Sequence, residues 1–252
     1  MNKSRQDNGF PDDPAENMRK ISSGVSHLGL ALLSSAVLDD TDDLDLHESV
    51  REEIDTLKYA VVAGIRLSGP VLRTVKTAPT LTYYYHYKTV NFALDQAALH
   101  IAGICQQMGG RVFPVPASQI LDWDRFKAHL SHREIACRAG IGWKGRNNLI
   151  VNPEYGSQVR YVTVLTDLPL PDGREGVESM DCGSCMRCIS VCPVGAIHED
   201  PDDFELDKCA AQLRRFADIE QLNTLICGLC VKVCEGRVGV LQSRETKGEQ
   251  SA

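Results

Sequence analysis

The chain contains no apolar run near the ~18 residues that a membrane-spanning helix needs. Its first residues, MNKSRQDNGFPDDPAENMRK, lack the apolar core of a secretory signal. An excess of positive charge is also missing. Lys and Arg number 27 against 34 Asp and Glu, a formal net charge of −7, which argues against a broad nucleic-acid-binding surface. Neither the glycine spacing of a dinucleotide-binding turn nor that of a phosphate-binding loop occurs. The acidic stretch Asp39–Asp45 has no glycine where a calcium loop requires one, and reads as a solvated turn. What remains is a soluble, cytoplasmic protein without a membrane partner. Its 252 residues suffice for one large domain or two smaller ones.

Cysteine is abundant. Eight of the ten lie between Cys182 and Cys234. The first run is Cys182-Gly-Ser-Cys185-Met-Arg-Cys188-Ile-Ser-Val-Cys192-Pro193, the C-x2-C-x2-C-x3-C-P signature of bacterial iron–sulfur proteins. Cys209 follows, then Cys227-Gly-Leu-Cys230-Val-Lys-Val-Cys234. Two-residue gaps let three cysteines turn about one cubane cluster. The three-residue step to Cys192 carries that sulfur past the loop, and in two-cluster ferredoxins the fourth cysteine binds the other cluster. Cys230 to Cys234 repeats the step, so the spacing predicts a crossed set. Cys182, Cys185, Cys188 and Cys234 would hold one [4Fe–4S] cluster, and Cys192, Cys209, Cys227 and Cys230 the other. Disulfides need an oxidising compartment. Zinc sites favour two paired C-x2-C steps, and zinc stands as the alternative.

Ahead of the cysteines, residues 1–14 are polar and read as disordered. Helical periodicity runs from Pro14 to Val37 through Met18, Ile21, Val25, Leu28, Leu32 and Leu33. A short helix is expected from His47 to Leu57, a buried strand from Tyr59 to Leu67, and a long helix from Tyr83 to Met108, stopped by Gly109-Gly110. An extended segment at Arg111–Pro116, a helix over 121–139, and strands at Leu149–Val151 and Gln158–Thr166 complete an α/β domain over 15–175. The cysteine module takes 176–240, and 241–252 reads as a flexible tail. Between the last helix and the strands, Gly140, Gly142 and Gly145 crowd one loop with Arg138, Lys144, Arg146 and Asn147. Such a loop admits close backbone approach to a ligand. Arg138, Gly140, Gly142, Lys144, Gly145 and Asn147 are its candidate cofactor contacts.

These residues carry a family resemblance. RAGIGWKGRNNLIVNPEYGSQVRYVTVLTDLPL, then DCGSCMRCISVCPVGAI and LDKCAAQL, resembles the epoxyqueuosine reductases, from about Tyr83 to Cys234. That family is related to reductive dehalogenases. The resemblance implies a nitroreductase-like α/β domain with a corrinoid pocket, followed by a ferredoxin-like module with two [4Fe–4S] clusters. It also implies electrons passing from a donor such as ferredoxin or flavodoxin through the clusters to cobalamin. Two departures stand out. The family's acid, in a D-x-x-P-V-L-E-R-like stretch, aligns with Phe126 of FKAHLSHR, with Asp122 and Asp124 nearby but out of register. The chain also ends in SRETKGEQSA, without the helical-repeat tail that holds tRNA in the family. Both argue against tRNA and for a small-molecule substrate, or a corrinoid on a partner protein. The catalytic residue is not assignable. A ferredoxin-type electron carrier, a flavin in place of cobalamin, and epoxyqueuosine reduction in tRNA are the alternatives.

The histidines are weighed separately. His129 and His132 share a helical face and read as solvent-facing, with a proton-donor role as the alternative. His86, in the aromatic run Tyr83-Tyr-Tyr-His-Tyr, reads as packing, with a pocket lined by it and its aromatic neighbours as the alternative. His27 lacks the D-x-H-x-x-G pattern of cobalt-binding histidines. Cys105 and Cys137 read as core.

Overall fold

The computed structural model describes residues 13–39, 41, 44–123, 127–174 and 180–236. The first helix, α1 (Pro14–Val25), is capped by Asp13, whose carboxylate accepts from the Ala15 and Glu16 amides, and Pro14 fits its first turn. Residues 13 and 14 are therefore anchored, in contrast to the loose terminus expected through 14; residues 1–12 and the expected tail at 241–252 lie outside the described residues.

Helix α1 does not continue to Val37. A single 3-10 turn, Ser26–Leu28, ends at Gly29 with φ +66°, the left-handed geometry that glycine supplies at a helix end. Leu32–Val37 is instead strand β1. Its apolar positions suit either period, and pairing with a neighbouring strand decides between them. That neighbour is β2 (Tyr59–Arg66), antiparallel, with Leu33 opposite Ala63 and Val37 opposite Tyr59. Helix α2 (Glu48–Ile54), capped by His47 Nδ1, lies between them in sequence.

After β2 come α3 (Gly69–Thr74) and the long α4 (Leu81–Gln107), capped by Thr80. Strand β3 (Val112–Val115) carries Pro114. The helix expected over 121–139 is reduced to α5 (His132–Arg138), which starts at its Ser131 cap, while Asp122 and Lys127 form an antiparallel bridge. Residues 124–126, including Phe126 and Asp124, lie outside the described residues. A two-stranded hairpin, β4 (Trp143–Lys144) and β5 (Ile150–Val151), leads to β6 (Val159–Thr166).

Among the described residues the main sheet has the order β1-β2-β6-β3, and every neighbouring pair is antiparallel. The fold is mixed α/β, but the helices do not serve as crossovers between parallel strands. Pro114 sits on the edge strand β3, where a missing N–H is tolerated. Alternation along the central strands separates two cores. Val61, Ala63, Val162 and Val164 face α1 and α4, whereas Ala60, Val62, Tyr161 and Leu165 face α2 and α5.

The cysteine module comprises α6 (Arg187–Val191), α7 (Leu206–Ile219) and α8 (Leu229–Val233). It packs onto the first core through Leu222, Ile226 and Leu229. The expected boundary near residue 176 falls within 175–179, outside the described residues. No helix among the described residues is long and apolar enough to cross a membrane.

Candidate functional site

Each half of the module has the same local form. Helix α6 carries Cys188 and ends at Cys192; α8 carries Cys230 and ends at Cys234. Both terminal cysteines have extended backbones, with φ −71° and ψ 114° at Cys192 and φ −98° and ψ 95° at Cys234. The chain therefore leaves the helix at each, and the last sulfur departs from the face of the one before it. Helices α6 and α8 pack against each other.

The thiols fall into two neighbourhoods. Burial first, then Cys234, Cys182 and Cys185, push the Cys188 thiol up to about 11. Burial first, then Cys209 and Cys192, push Cys227 up to about 11. Cys230 is raised by burial and then by Cys227 and Cys209, with Cys188 and Cys192 contributing less. Buried thiols that oppose one another's ionisation suit a cationic iron centre that would relieve them. No three His, Cys, Asp or Glu side chains among the described residues are drawn together tightly enough for a single metal ion. Donors reach the sulfurs, among them Trp143 Nε1 to Cys182 Sγ and the Ala196 amide to Cys192 Sγ, both 3.3 Å.

Cys185 departs from the pattern. Burial raises its thiol, but hydrogen bonds and charge from Arg187, with the charge of Arg146, outweigh burial and hold it below the ordinary value. Arg146 also grips the backbone of this loop. Its guanidinium donates to the carbonyls of Glu199 (2.7 Å), Gly183 (2.9 Å) and Cys185 (3.1 Å). Lys144 pairs with Asp202 at 2.7 Å.

Beside the second neighbourhood lies a cavity of about 470 Å³. Cys209, Cys227 and Cys230 form one wall, and Tyr83, Tyr87, Arg160 and Tyr161 contribute another. The volume is in the range of cofactor and substrate sites. Gly228, at φ +84°, packs on the Tyr83 ring, with Cε1 2.6 Å from where a β-carbon would lie. Burial raises the Tyr83 phenol. Tyr87 behaves differently. Burial opposes its ionisation, but Arg160, 4.6 Å from the ring centroid, and hydrogen bonds from Ser118, Asn91 and Arg160 hold its phenol below the ordinary value. The buried Tyr161 hydroxyl has no hydrogen-bond partner.

Of the six candidates in the glycine-rich loop, Asn147 lines this cavity; Arg138, Gly140, Gly142, Lys144 and Gly145 do not. Gly142 and Gly145 are pressed against Val151 of the hairpin, and the cations Lys144 and Arg146 face the cysteine loop. The glycines allow chain packing there, where a ligand contact was expected. His132 also differs from expectation. Its ring is enclosed, with Nδ1 2.8 Å from Thr163 Oγ1 and Nε2 2.9 Å from the Pro116 carbonyl. His129 packs edge-on against His47 and Phe113, its Nδ1 buried. His132 is therefore not solvent-facing, while His129 stays partly exposed. His86 accepts from the Ser68 amide at 3.0 Å. Tyr83 and Tyr87, from the aromatic run read mainly as packing, line the cavity; Arg160 and Tyr161 belong to no local motif that would mark them.

Comparison with known proteins bears on both features. A family model described as "4Fe-4S double cluster binding domain" matches residues 181–236, which supports two iron–sulfur clusters. Epoxyqueuosine reductase of Bacillus anthracis is 35% identical over 119 residues, covering 44% of this chain and 30% of the relative. That of Escherichia coli is 38% identical over 86 residues, covering 34% and 22%. The matched segments thus span about a third or less of these relatives. Among solved structures, a reductive dehalogenase described in connection with B12-dependent dehalogenation aligns with a TM-score of 0.65 and 19% identity, over 90% of this chain and 32% of its own. Epoxyqueuosine reductase from Streptococcus thermophilus gives a TM-score of 0.56 and 18% identity, over 88% and 66%. An epoxyqueuosine reductase with an epoxyqueuosine-modified tRNA-Tyr stem loop gives 0.56 and 20%, over 89% and 66%. The chain is therefore similar in sequence to epoxyqueuosine reductases over 34–44% of its length, carries a double 4Fe-4S cluster module at 181–236, and shares over most of its length the fold of epoxyqueuosine reductases and of reductive dehalogenases.

Proposed function

We propose that the protein is an iron–sulfur reductase in which two [4Fe–4S] clusters deliver electrons to a group bound in the cavity. Cys182, Cys185, Cys188 and Cys234 hold one cluster; Cys192, Cys209, Cys227 and Cys230 hold the other. The observation that carries this reading is the cavity itself, because three cysteines of the second set and side chains of the α/β domain line one space. We read that domain as nitroreductase-like and the module as ferredoxin-like, with ferredoxin or flavodoxin as electron donor.

The lining suits a cofactor. The orphaned Tyr161 hydroxyl offers a polar contact to a bound group, while the Asn147 amide is tied to Ser157 and Leu149. When bound, a corrinoid supplies a low-potential metal centre, and a flavin supplies a two-electron carrier. The protein's own part is to hold iron at the second cysteine set, to exclude water with Tyr83, and to keep a proton at Tyr87 Oη, which lies 3.1 Å from Ser118 Oγ. Arg160 sets the charge beside that phenol.

Sequence similarity favours epoxyqueuosine in tRNA as the substrate, in place of the small molecule read from the sequence. The higher TM-score of the dehalogenase supports a second reading, reduction of a small molecule at the same cavity. The test is anaerobic reconstitution with iron and sulfide, then addition of cobalamin, reductant and an epoxyqueuosine-modified stem loop. About eight irons per chain are expected, as two four-iron clusters require, with cobalt reduction and conversion of the modified base read by mass spectrometry. Intact clusters without corrinoid binding would overturn the corrinoid reading and leave an electron carrier or flavin protein. Binding without conversion would favour the small-molecule reading.

A further inference from the structure

Helix α4 has two faces of different kinds. One is buried through Val90, Leu94, Ile101 and Cys105. The other presents Leu81 (59% exposed), Tyr85 (63%), Phe92 (65%) and Leu99 (59%) to solvent. Their spacing of four, seven and seven residues is that of a helix–helix seam. A solvated helix face is normally rich in charge. Of the two fully charged residues in α4, Asp95 is half-buried and accepts from the Ala117 amide at 2.8 Å, which leaves Lys88 as the exposed one.

The stripe is also symmetric. About Phe92, Tyr85 and Leu99 stand seven residues to either side, and Leu81 and Gly103 eleven. An antiparallel second copy with its two-fold axis at Phe92 would set Tyr85 against Leu99 and Leu81 against Gly103. At Gly103 a β-carbon would meet nothing within 4 Å, so space for the large Leu81 side chain exists there. Lys88 would face Gln96, one residue from Asp95, so no like charges meet. This self-complementarity is what a closed two-fold interface demands. An unrelated partner would not require it.

We infer that α4 is the homodimer seam of this protein, with Phe92 on the two-fold axis. Tyr83 and Tyr87 line the cavity from the same helix, so the seam and the cavity are two faces of one element. From Leu81 to Gly103 the seam is about 33 Å long at 1.5 Å per residue. Taken ~10 Å wide, it covers roughly 330 Å² on each copy, below the ~800 Å² of a standard interface. The dimer should therefore be weak and dissociate on dilution. This inference is independent of the redox reading.

Sedimentation velocity of the cluster-loaded full chain over a concentration series tests it. Wild type should pass from monomer to dimer, and Phe92→Glu should stay monomeric with iron content and melting unchanged. p-Benzoylphenylalanine at position 92 should cross-link to the 85–99 segment of a second copy. A monomer throughout, a dimer indifferent to Phe92→Glu and Leu99→Glu, or open-ended polymers would each overturn the proposal.

Discussion

Gly228 joins the two principal features of the molecule at a single residue. It lies between Cys227 and Cys230, takes φ +84°, and leaves no space for a β-carbon beside Tyr83. Gly228→Ala should cost about 1–3 kcal/mol through backbone strain and lower the iron bound at the second cysteine set, as read by thermal melting and iron analysis. His132 makes a different prediction. Burial first, then the charges of Arg160 and His129, push it from 6.5 down to about 4, against the pull of the Pro116 carbonyl. Between these values the unfolded chain takes up a proton that the folded chain refuses. Stability is therefore full above about 6.5 and falls as pH drops towards 4, by on the order of 3 kcal/mol. Denaturant midpoints across that window should fall less steeply for His132→Gln than for wild type; equal slopes would refute the assignment. The cysteines were legible in the sequence because their spacing is the chemistry. Arg160 and Tyr161 were not, because chain folding alone brings β6 to the cavity beside α4.

Among the elements, the β4–β5 hairpin matters most to the module. Arg146, in its turn, spans three carbonyls with a planar, fixed set of donors. Lysine has one ammonium and does not replace that fork. Arg146→Ala should loosen the Cys182–Cys188 loop by about 2–3 kcal/mol, and Arg146→Lys should recover little of it. Faster amide exchange at residues 183–190, with the α/β core unchanged, is the expected signature. Reading the elements from sequence succeeded where one period dominates, as in α4, whose ten buried residues recur at helical spacing. It failed at β1. Leu32, Leu33 and Val37 fit helix and strand alike, and the hydrogen bonds to β2 decide the outcome. In the segment before α5, the Ser131 cap shortened the expected helix from its N-terminal side.

For the molecule as a whole, the order of strands was the least legible property. Alternating strands and helices suggest parallel crossovers, but β2 and β6 pair antiparallel although more than ninety residues of sequence separate them. Nothing local encodes such pairing; it follows from burying both faces of β6 at once. The module then completes the first core with Leu222, Ile226 and Leu229. The position of Arg146 has a bearing on biosynthesis. The residue and all six strands of the described residues precede Cys182 in the chain, so the clamp leaves the ribosome before the loop it grips. Domains fold as they emerge. Iron would then meet a hairpin that is made first, while the first core closes only once Leu222, Ile226 and Leu229 have followed.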